Sequence, residues 1–321
     1  MRLLLRLLLL LLLISCGNKR KNAVQDFIAN LPSDTLLTIK TYDGWNQVVH
    51  PDVLWDGKKL IMGITPYPFY WDSLENPCLY TSNDGLQFND FLPTKNPLVP
   101  APKIDHNCDP DILFDKDSNL LLYYLETLRP FGNNVVLLKQ DKSTRKFSRK
   151  VVLSYNLKKK EHLILSPAII QNVTSKKYFI FFVDNDEKTN RIKQITSSTT
   201  NYFKKKKTVA AKIQFPKNYS PWHLDAIKGE NGKYYLLTNG FYGKQEQDNY
   251  SLFLAESDDL IHWKNNREIF TKKDIPDTTA AYVYRSSAII TNETIGLWYS
   301  YTTNERKWKL GFKKLISNKI N

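Results

Sequence analysis

The sequence predicts an all-β fold, a five-bladed β-propeller of four-stranded antiparallel blades, and three observations carry that prediction. First, one phrase returns five times: a polar or charged residue, a short apolar strand, a turn, then an aromatic-rich strand. The copies are His50-Pro-Asp-Val-Leu, Asp109-Pro-Asp-Ile-Leu, Ser166-Pro-Ala-Ile-Ile, His223-Leu-Asp-Ala-Ile and Arg285-Ser-Ser-Ala-Ile. Their third residues stand at 52, 111, 168, 225 and 287, so the steps are 59, 57, 57 and 62 residues. A steady period of this size, filled only with strand-like segments, indicates a radial repeat. Second, aromatic residues make up 13% of the chain, and they favour pleated, half-buried surfaces. Third, no segment shows a helical period of useful length.

The first repeat sets the pattern of a blade. Val53-Leu54-Trp55 is the inner strand, Asp56-Gly57-Lys58 a tight turn, and Lys59 to Thr65 the second strand. Asp-Gly between two apolar runs is a strong hairpin signal. A loop from Pro66 to Pro77 leads to a third strand at Cys78 to Thr81, and Ser82-Asn83-Asp84-Gly85 turns into an outer strand with Leu86 and Phe88. The fourth repeat uses the same device in Ser257-Asp258-Asp259-Leu260-Ile261-His262-Trp263, where a polar turn precedes an apolar residue and an aromatic. Repeats two, three and five are looser.

The N-terminus is set apart from the repeat. Arg2 and Arg6 flank a leucine run that reaches Leu13, and Leu13-Ile14-Ser15-Cys16 resembles a bacterial lipobox. A positive start and a short apolar core make a secretory signal, too short for the ~20 residues that span a bilayer. The expected organisation is a signal peptide at 1–15, an acylated Cys16 with a polar tether at 16–40, and the propeller at 41–321. Acyl chains on Cys16 would hold an exported protein at the cell envelope without a spanning helix. An ordinary cleaved signal with an incidental cysteine is the alternative.

Composition narrows the partners. Hydrophobic residues make up 42% of the 321, enough for a sizeable core, and the repeat accounts for nearly all of the mature length as one domain. The net charge of +14 comes from lysine runs such as Lys158–Lys160 and Lys204–Lys207, which fall between strands as solvated loops. No recognition-helix pattern or stacking platform for nucleic acid appears. A monomer is expected. The chain lacks C-x-x-C pairs, which disfavours a structural zinc site, and in an oxidising compartment Cys78 and Cys108 are candidates for a disulfide.

Antiparallel blades bring the starts of the inner strands and the loops between second and third strands onto one face. That face should carry Asp52, His106, Asp109, Asp111, Trp222, His223, Asp225, Tyr284 and Arg285 together with His50. From the loops it should carry Tyr67, Glu75, Glu126, Arg129, Asp184, Asp186 and Tyr242. Carboxylates, imidazoles, arginines and aromatic rings together suit a carbohydrate ligand, with acceptors for hydroxyls and flat faces for sugar rings. Simpler roles stay open for the same residues. Asp52 also fits a strand-end residue, His50 and His223 a blade-to-blade hydrogen bond, and Arg285 a structural partner for Asp109 and Asp111. Trp222, Tyr284 and Tyr67 also fit a core. The carboxylates of the channel also suit a structural Ca²⁺; no other cofactor is expected.

The blade phrases His-Pro-Asp-Val, Asp-Pro-Asp-Ile and Ser-Pro-Ala-Ile, with the Ser-Asn-Asp-Gly and Ser-Asp-Asp-Leu-Ile-His-Trp turns, resemble those of the five-bladed propeller glycosidases. That broad group holds glycoside hydrolase families 43, 32 and 62 and the related mannoside phosphorylases. The resemblance covers roughly Tyr42 to Leu315. It implies inverting hydrolysis of a glycosidic bond, with Asp52 as general base and Asp111 or Asp109 tuning the acid. Such chemistry needs two carboxyls about 6.5–9.5 Å apart, one of them kept protonated by its surroundings. The third-blade glutamate of that group is missing, because Leu165-Ser166-Pro167-Ala168 stands in its place. Glu75 is the favoured replacement and Glu126 the second candidate. His50, Tyr67, His106, Asp184, Trp222, His223, Asp225, Tyr284 and Arg285 would hold the sugar. A glycan-binding propeller without turnover is the alternative that the missing acid supports.

Overall fold

The computed structural model describes residues 23–316 except 92, 94, 160, 186–189 and 244–248. Cys16, the leader before it and Asp186 lie outside the described residues. The described chain begins with α1 (Ala23–Asn30) and a short strand, β1 (Thr35–Leu37). Blade one follows as β2 (Val48–Trp55), β3 (Leu60–Pro66), β4 (Cys78–Ser82) and β5 (Asn89–Asp90). Blade two is β6 (Asn107–Phe114), β7 (Leu120–Leu128), β8 (Gly132–Gln140) and β9 (Phe147–Asn156). Blade three is β10 (Leu163–Gln171), β11 (Tyr178–Asn185), β12 (Asn190–Ser197) and β13 (Val209–Ala210). Blade four is β14 (Tyr219–Lys228), β15 (Tyr234–Tyr242), β16 (Tyr250–Ser257) and β17 (Lys264–Thr271). Blade five contains β18 (Ala280–Ile290), β19 (Thr294–Thr303) and β20 (Trp308–Ile316), and its fourth strand is β1. Thr35 pairs with Phe312 and Leu37 with Leu310, so both ends of the fold meet in one sheet. The ring closes without a covalent link. The protein is thus a five-bladed propeller with four antiparallel strands to a blade.

Two turn devices seen in the sequence form as expected. At Asp56-Gly57, the Asp56 carboxylate accepts from the amides of Lys58 and Lys59, and Gly57 takes φ +97. In the outer hairpins, Asp84 Oδ1 accepts from the amides of Leu86 and Gln87, and Asp259 Oδ1 from those of Ile261 and His262. These carboxylates satisfy backbone donors that a tight turn strands.

The core is divided among the gaps between blades. Ile61 and Leu79 of blade one meet Ile112 and Leu122 of blade two, and equivalent apolar layers fill the other interfaces. Middle strands are therefore buried on both faces, as β3 and β16 are along their whole lengths. Outer strands such as β9 keep an exposed face.

Two expectations need correction here. The polar tether expected over 16–40 is folded from Ala23 onward. Val24, Phe27, Ile28 and Leu31 form one apolar stripe with helical spacing; Val24, Ile28 and Leu31 are buried in the layer between blades five and one, and Phe27 packs on Trp55 with ring centroids 4.6 Å apart. An eight-residue helix has too little local stability to be read from sequence, and only tertiary packing holds it. Gly85 at φ +70 shows how close that packing is, because a Cβ there would sit 3.0 Å from Leu31 Cδ2. The second correction concerns the cysteines. Cys78 and Cys108 are both free, because Cys78 faces the layer shared with blade five and Cys108 the layer shared with blade three.

The helix yields a direct test. Ile28 is fully buried, and Ile28→Ala should cost about 2–5 kcal/mol in a chemical denaturation measurement. A tether would tolerate the change with no loss.

Candidate active site

Every inner strand carries an irregularity at or beside the first residue of its phrase. Register shifts fall between Val49 and Asp52, Cys108 and Asp111, Leu165 and Ala168, Pro221 and His223, and Val283 and Ser286. In the first three blades the residue before proline adopts a left-handed backbone: His50 at φ +56, Asp109 at φ +52 and Ser166 at φ +51. Bulges of this kind re-aim side chains, and here they set two layers of polar groups around the axis. The upper layer holds the first residues of the five phrases, and the lower layer the third residues.

The lower layer latches blades together. Asp52 Oδ2 accepts from Ile112 N at 2.5 Å, and Asp111 Oδ2 accepts from Ile169 N at 3.0 Å, each reaching the next blade. Ser287 accepts from Val53 N at 3.1 Å and donates to Asp52 Oδ1 at 3.2 Å, closing the ring. Blade three has Ala168 at this level. Its latch moves up one layer, where Ser166 Oγ donates to Leu224 O and accepts from Leu224 N. Burial, with carboxylate neighbours adding, pushes Asp52 and Asp111 well above the usual range, and burial raises Asp225 as well. Asp52, Asp111 and Asp225 lie close enough together to share a cation. Below them a cavity of about 430 Å³ opens toward α1, with Val24 on its wall.

The upper layer converges on one carboxylate. Asp109 Oδ1 lies 3.5 Å from His50 Nε2, 3.2 Å from His223 Nδ1 and 3.4 Å from Arg285 Nη1, while Oδ2 accepts from Ser166 N at 3.0 Å. All four side chains are almost fully buried. Neither facing imidazole nitrogen makes a hydrogen bond. The outer nitrogens do have partners. His50 Nδ1 is 3.1 Å from both Thr65 Oγ1 and Glu75 Oε1, and His223 Nε2 is 2.7 Å from the Tyr284 hydroxyl. The phenol oxygen also accepts from Trp222 Nε1 at 3.1 Å, which leaves it a second lone pair for a proton on His223 Nε2. Each imidazole is thus held from behind, with its other nitrogen turned toward Asp109 Oδ1.

That arrangement fits a divalent cation. Bonds of about 2.0–2.1 Å to imidazole and carboxylate place neighbouring ligand atoms about 3.3 Å apart, close to the separations around Asp109 Oδ1. His50, Asp109 and His223 form a candidate ligand set on that geometry. Partners on the far ring nitrogens are the usual support for such ligands. Burial drives His50 well below the ordinary imidazole range, outweighing the nearby Asp109, so the ring is neutral near neutrality. Burial alone would raise Asp109, but His50, His223 and Arg285 overcome it and hold the carboxyl well below its usual range. A neutral imidazole and an ionised carboxylate are the forms that bind metal.

From this cluster a chain of carboxylates and imidazoles runs outward. Glu75 Oε2 is 3.5 Å from His106 Nε2, and His106 Nδ1 is 2.6 Å from Asp105 Oδ1. Arg129 Nε then binds Asp105 Oδ2 at 2.6 Å, and its Nη2 reaches Asp72 at 3.0 Å. Burial, helped by Asp109 and Asp72, lifts Glu75 well above the normal carboxyl range. Burial would raise Asp105 too, but its bonds to Arg129 bring it down to about 2. Tyr67 donates to Asp72 at 2.9 Å and steadies the loop that supplies Glu75.

The structure thus brings together His50, Glu75, His106, Asp109, Trp222, His223, Tyr284 and Arg285. Asp52, Asp111 and Asp225 sit one layer deeper, in the latch. Glu126 is engaged by Arg149 at 2.5 Å and by Asn134, and Asp184 pairs with Lys193 and His162; neither makes a described contact with the axial cluster. Tyr242 is half exposed and packs on Tyr219. Sequence reasoning passed over Thr65, Asp72, Asp105 and Ser287. Ser287 occupies the third position of its phrase and was open to discovery by the repeat; Thr65 carries no sequence signal.

No protein-family model matches the chain. One curated relative is an A type blood N-acetyl-α-D-galactosamine deacetylase from Flavonifractor plautii, 30% identical over 86 residues. That match spans 25% of this chain and only 11% of the relative. A crystal structure of an N-acetylgalactosamine deacetylase from F. plautii, in complex with blood group B trisaccharide, superposes with a TM-score of 0.75. It is 18% identical and covers 90% of this chain and 96% of that one. The catalytic domain of a family 62 α-L-arabinofuranosidase from Coprinopsis cinerea superposes with a TM-score of 0.62 at 11% identity, covering 89% and 98% of the two chains. Glycosidase-like propellers and a carbohydrate deacetylase therefore share this fold.

The latch carboxyls give a pH test with a defined sign. A raised carboxyl binds its proton in the folded state while the unfolded chain releases it, so stability falls as pH rises above the unfolded value. Asp52→Asn keeps an acceptor for Ile112 N and removes that loss. The variant's melting temperature relative to the parent should therefore become more favourable from about pH 4 to about pH 7. A constant difference would mean that Asp52 is ionised in the fold.

Proposed function

We propose that this protein is a carbohydrate-acting hydrolase that removes an N-acetyl group from an amino sugar within a glycan, assisted by a divalent cation. The observation that carries this reading is the pair of buried histidines, each fixed from behind and each aiming an unpaired nitrogen at Asp109. The deacetylase relative supports the same bond class. When bound there, a divalent cation supplies Lewis acidity toward a carbonyl oxygen and lowers the pKa of water. His50, Asp109 and His223 would hold it, with Glu75 and Tyr284 orienting the imidazoles. Arg285 balances the charge of Asp109 from the blade-five side. His106, fixed by Asp105 in the manner of a dyad, is positioned to move a proton at Nε2, and Glu75 can take up or return that proton.

A second reading is glycosidic bond hydrolysis, favoured by the raised pKa of the buried Glu75 carboxyl, which suits a general acid. The base in that reading would be Asp52, whose oxygens are both engaged in the latch. A propeller that binds glycans without turnover is the third outcome. The leader with Arg2, Arg6 and Cys16 supports export and lipid anchoring at a bacterial envelope. Labelling with a radioactive fatty acid, lost in Cys16→Ala, would test that anchor.

The soluble form starting after Cys16 should release acetate from N-acetylated glycans. A chelator should abolish release, and Mn²⁺, Co²⁺ or Zn²⁺ should restore it. Asp109→Asn and His223→Ala should each lower kcat/KM by about 100-fold or more and reduce bound metal measured by mass spectrometry. Reducing ends without acetate, indifferent to chelation, would establish the glycosidic reading instead. Binding without either product would leave a recognition propeller.

A further inference from the structure

The rim above the axial cluster carries a row of aromatic rings that the chemistry at Asp109 does not use. Trp45 and Trp71 are each 52% exposed, and Phe69 is 38% exposed. Phe69 joins the two, with ring centroids 4.8 Å from Trp45 and 5.6 Å from Trp71. Isolated exposed apolar residues need no account, but a contiguous exposed aromatic row marks a binding surface.

The backbone beneath the row is held against its preferences. Phe69 and Tyr70 are consecutive aromatic residues with φ of +53 and +63. Such conformations persist only where the surroundings enforce them, and they cluster at functional sites. Here Tyr70 supplies the enforcement. Its hydroxyl is 3.2 Å from Thr302 Oγ1, its ring packs on Trp308 at 5.3 Å, and the Arg306 guanidinium lies 4.6 Å over its face. With Tyr70 anchored inward to blade five, Phe69 is turned outward. The Trp45 loop is fixed as well: Trp45 N donates to Asp43 Oδ1 at 2.7 Å, and Asn46 Oδ1 accepts from Thr41 N at 3.0 Å.

A groove of about 490 Å³ runs beside Trp45 and Phe69, and Asn46, Lys307 and Lys309 also line it. One stretch of chain, 67–77, presents Phe69 and Trp71 to solvent and delivers Glu75 to His50. Two rings of the row and the Glu75 carboxylate of the candidate active site are thus carried on one loop.

We infer that Trp45, Phe69 and Trp71 form an outer subsite for a glycan chain, stacking on the C–H faces of sugar rings beyond the one that reacts. The inference rests on the carbohydrate reading above and sharpens it: the substrate is an oligosaccharide or polysaccharide rather than a free amino sugar. A sugar ring presents flat C–H faces edged by hydroxyls, and the surface offers flat rings edged by amide and ammonium groups. A lipid surface fits less well, because α1 lies by the cavity at the other end of the axis, so the described chain starts on the face away from this rim. A protein partner would need about 800 Å² per side, far more than three rings present.

The test uses the soluble protein after Cys16 and the double variant Trp45→Ala/Trp71→Ala, with melting temperatures as the fold control. Binding is followed by calorimetry against an N-acetylhexosamine monosaccharide, its β-linked tetramer and a blood-group-type oligosaccharide. In the parent, affinity should rise with chain length. The double variant should lose about ten-fold in affinity for the longer ligands and keep monosaccharide affinity within about two-fold. Chain-length preference that survives in the double variant overturns the subsite and leaves the carbohydrate reading standing. No binding by the parent at any length defeats both. Tryptophan-dependent flotation with phosphatidylglycerol vesicles, without glycan binding, assigns the row to a lipid surface instead.

Discussion

A single carboxylate organises this protein. Asp109, on blade two, touches groups from the four other blades: His50 of blade one, Ser166 of blade three, His223 of blade four and Arg285 of blade five. An ionised group so fully buried is tolerable only when it is surrounded by donors and positive charge. The fold meets that demand by bulging each inner strand, so that every blade offers a polar group at the same height. The left-handed residues before Pro51, Pro110 and Pro167 store strain to the same end. One geometry therefore serves both the blade register and the candidate ligand set at the axis. The contacts that hold five blades in register are the ones that could seat a cation.

The two layers divide that work. In the lower layer the carboxylates spend their oxygens on backbone amides of the next blade, and burial among like charges keeps them prone to protonation. In the upper layer the imidazoles keep a nitrogen free, because Thr65, Glu75 and Tyr284 satisfy the other one. A protonated carboxyl already used as an acceptor is a poor base. A neutral imidazole with a free lone pair is a good ligand. That contrast is why the deeper aspartates read as structure and the shallower cluster as the candidate site.

Much of this was legible without coordinates. The phrase repeat named His50, Asp109, His223 and Arg285, and the antiparallel order of a blade put Glu75 and Tyr67 on the same face. The separation of the two layers was not legible, because Asp52 and Asp109 belong to the same type of phrase and differ only by two positions along a strand. Helix α1 was hidden for another reason: its apolar stripe of Val24, Phe27 and Ile28, continued by Leu31 just past its end, is too short to hold a helix alone. The free cysteines follow from facing directions that spacing cannot encode, since Cys78 and Cys108 lie on neighbouring blades but point into different layers.

The sequence by itself determined the number of blades, the strands within them and the inventory of axial side chains, since period, turn chemistry and alternation are local properties of the chain. Tertiary structure alone decided which of those side chains meet, which nitrogen of each histidine is left unpaired, and which carboxyls are pushed toward protonation. Those properties depend on distances between blades some 60 residues apart in sequence and on the loss of water around the axis. Neither quantity is written in any one segment of the chain.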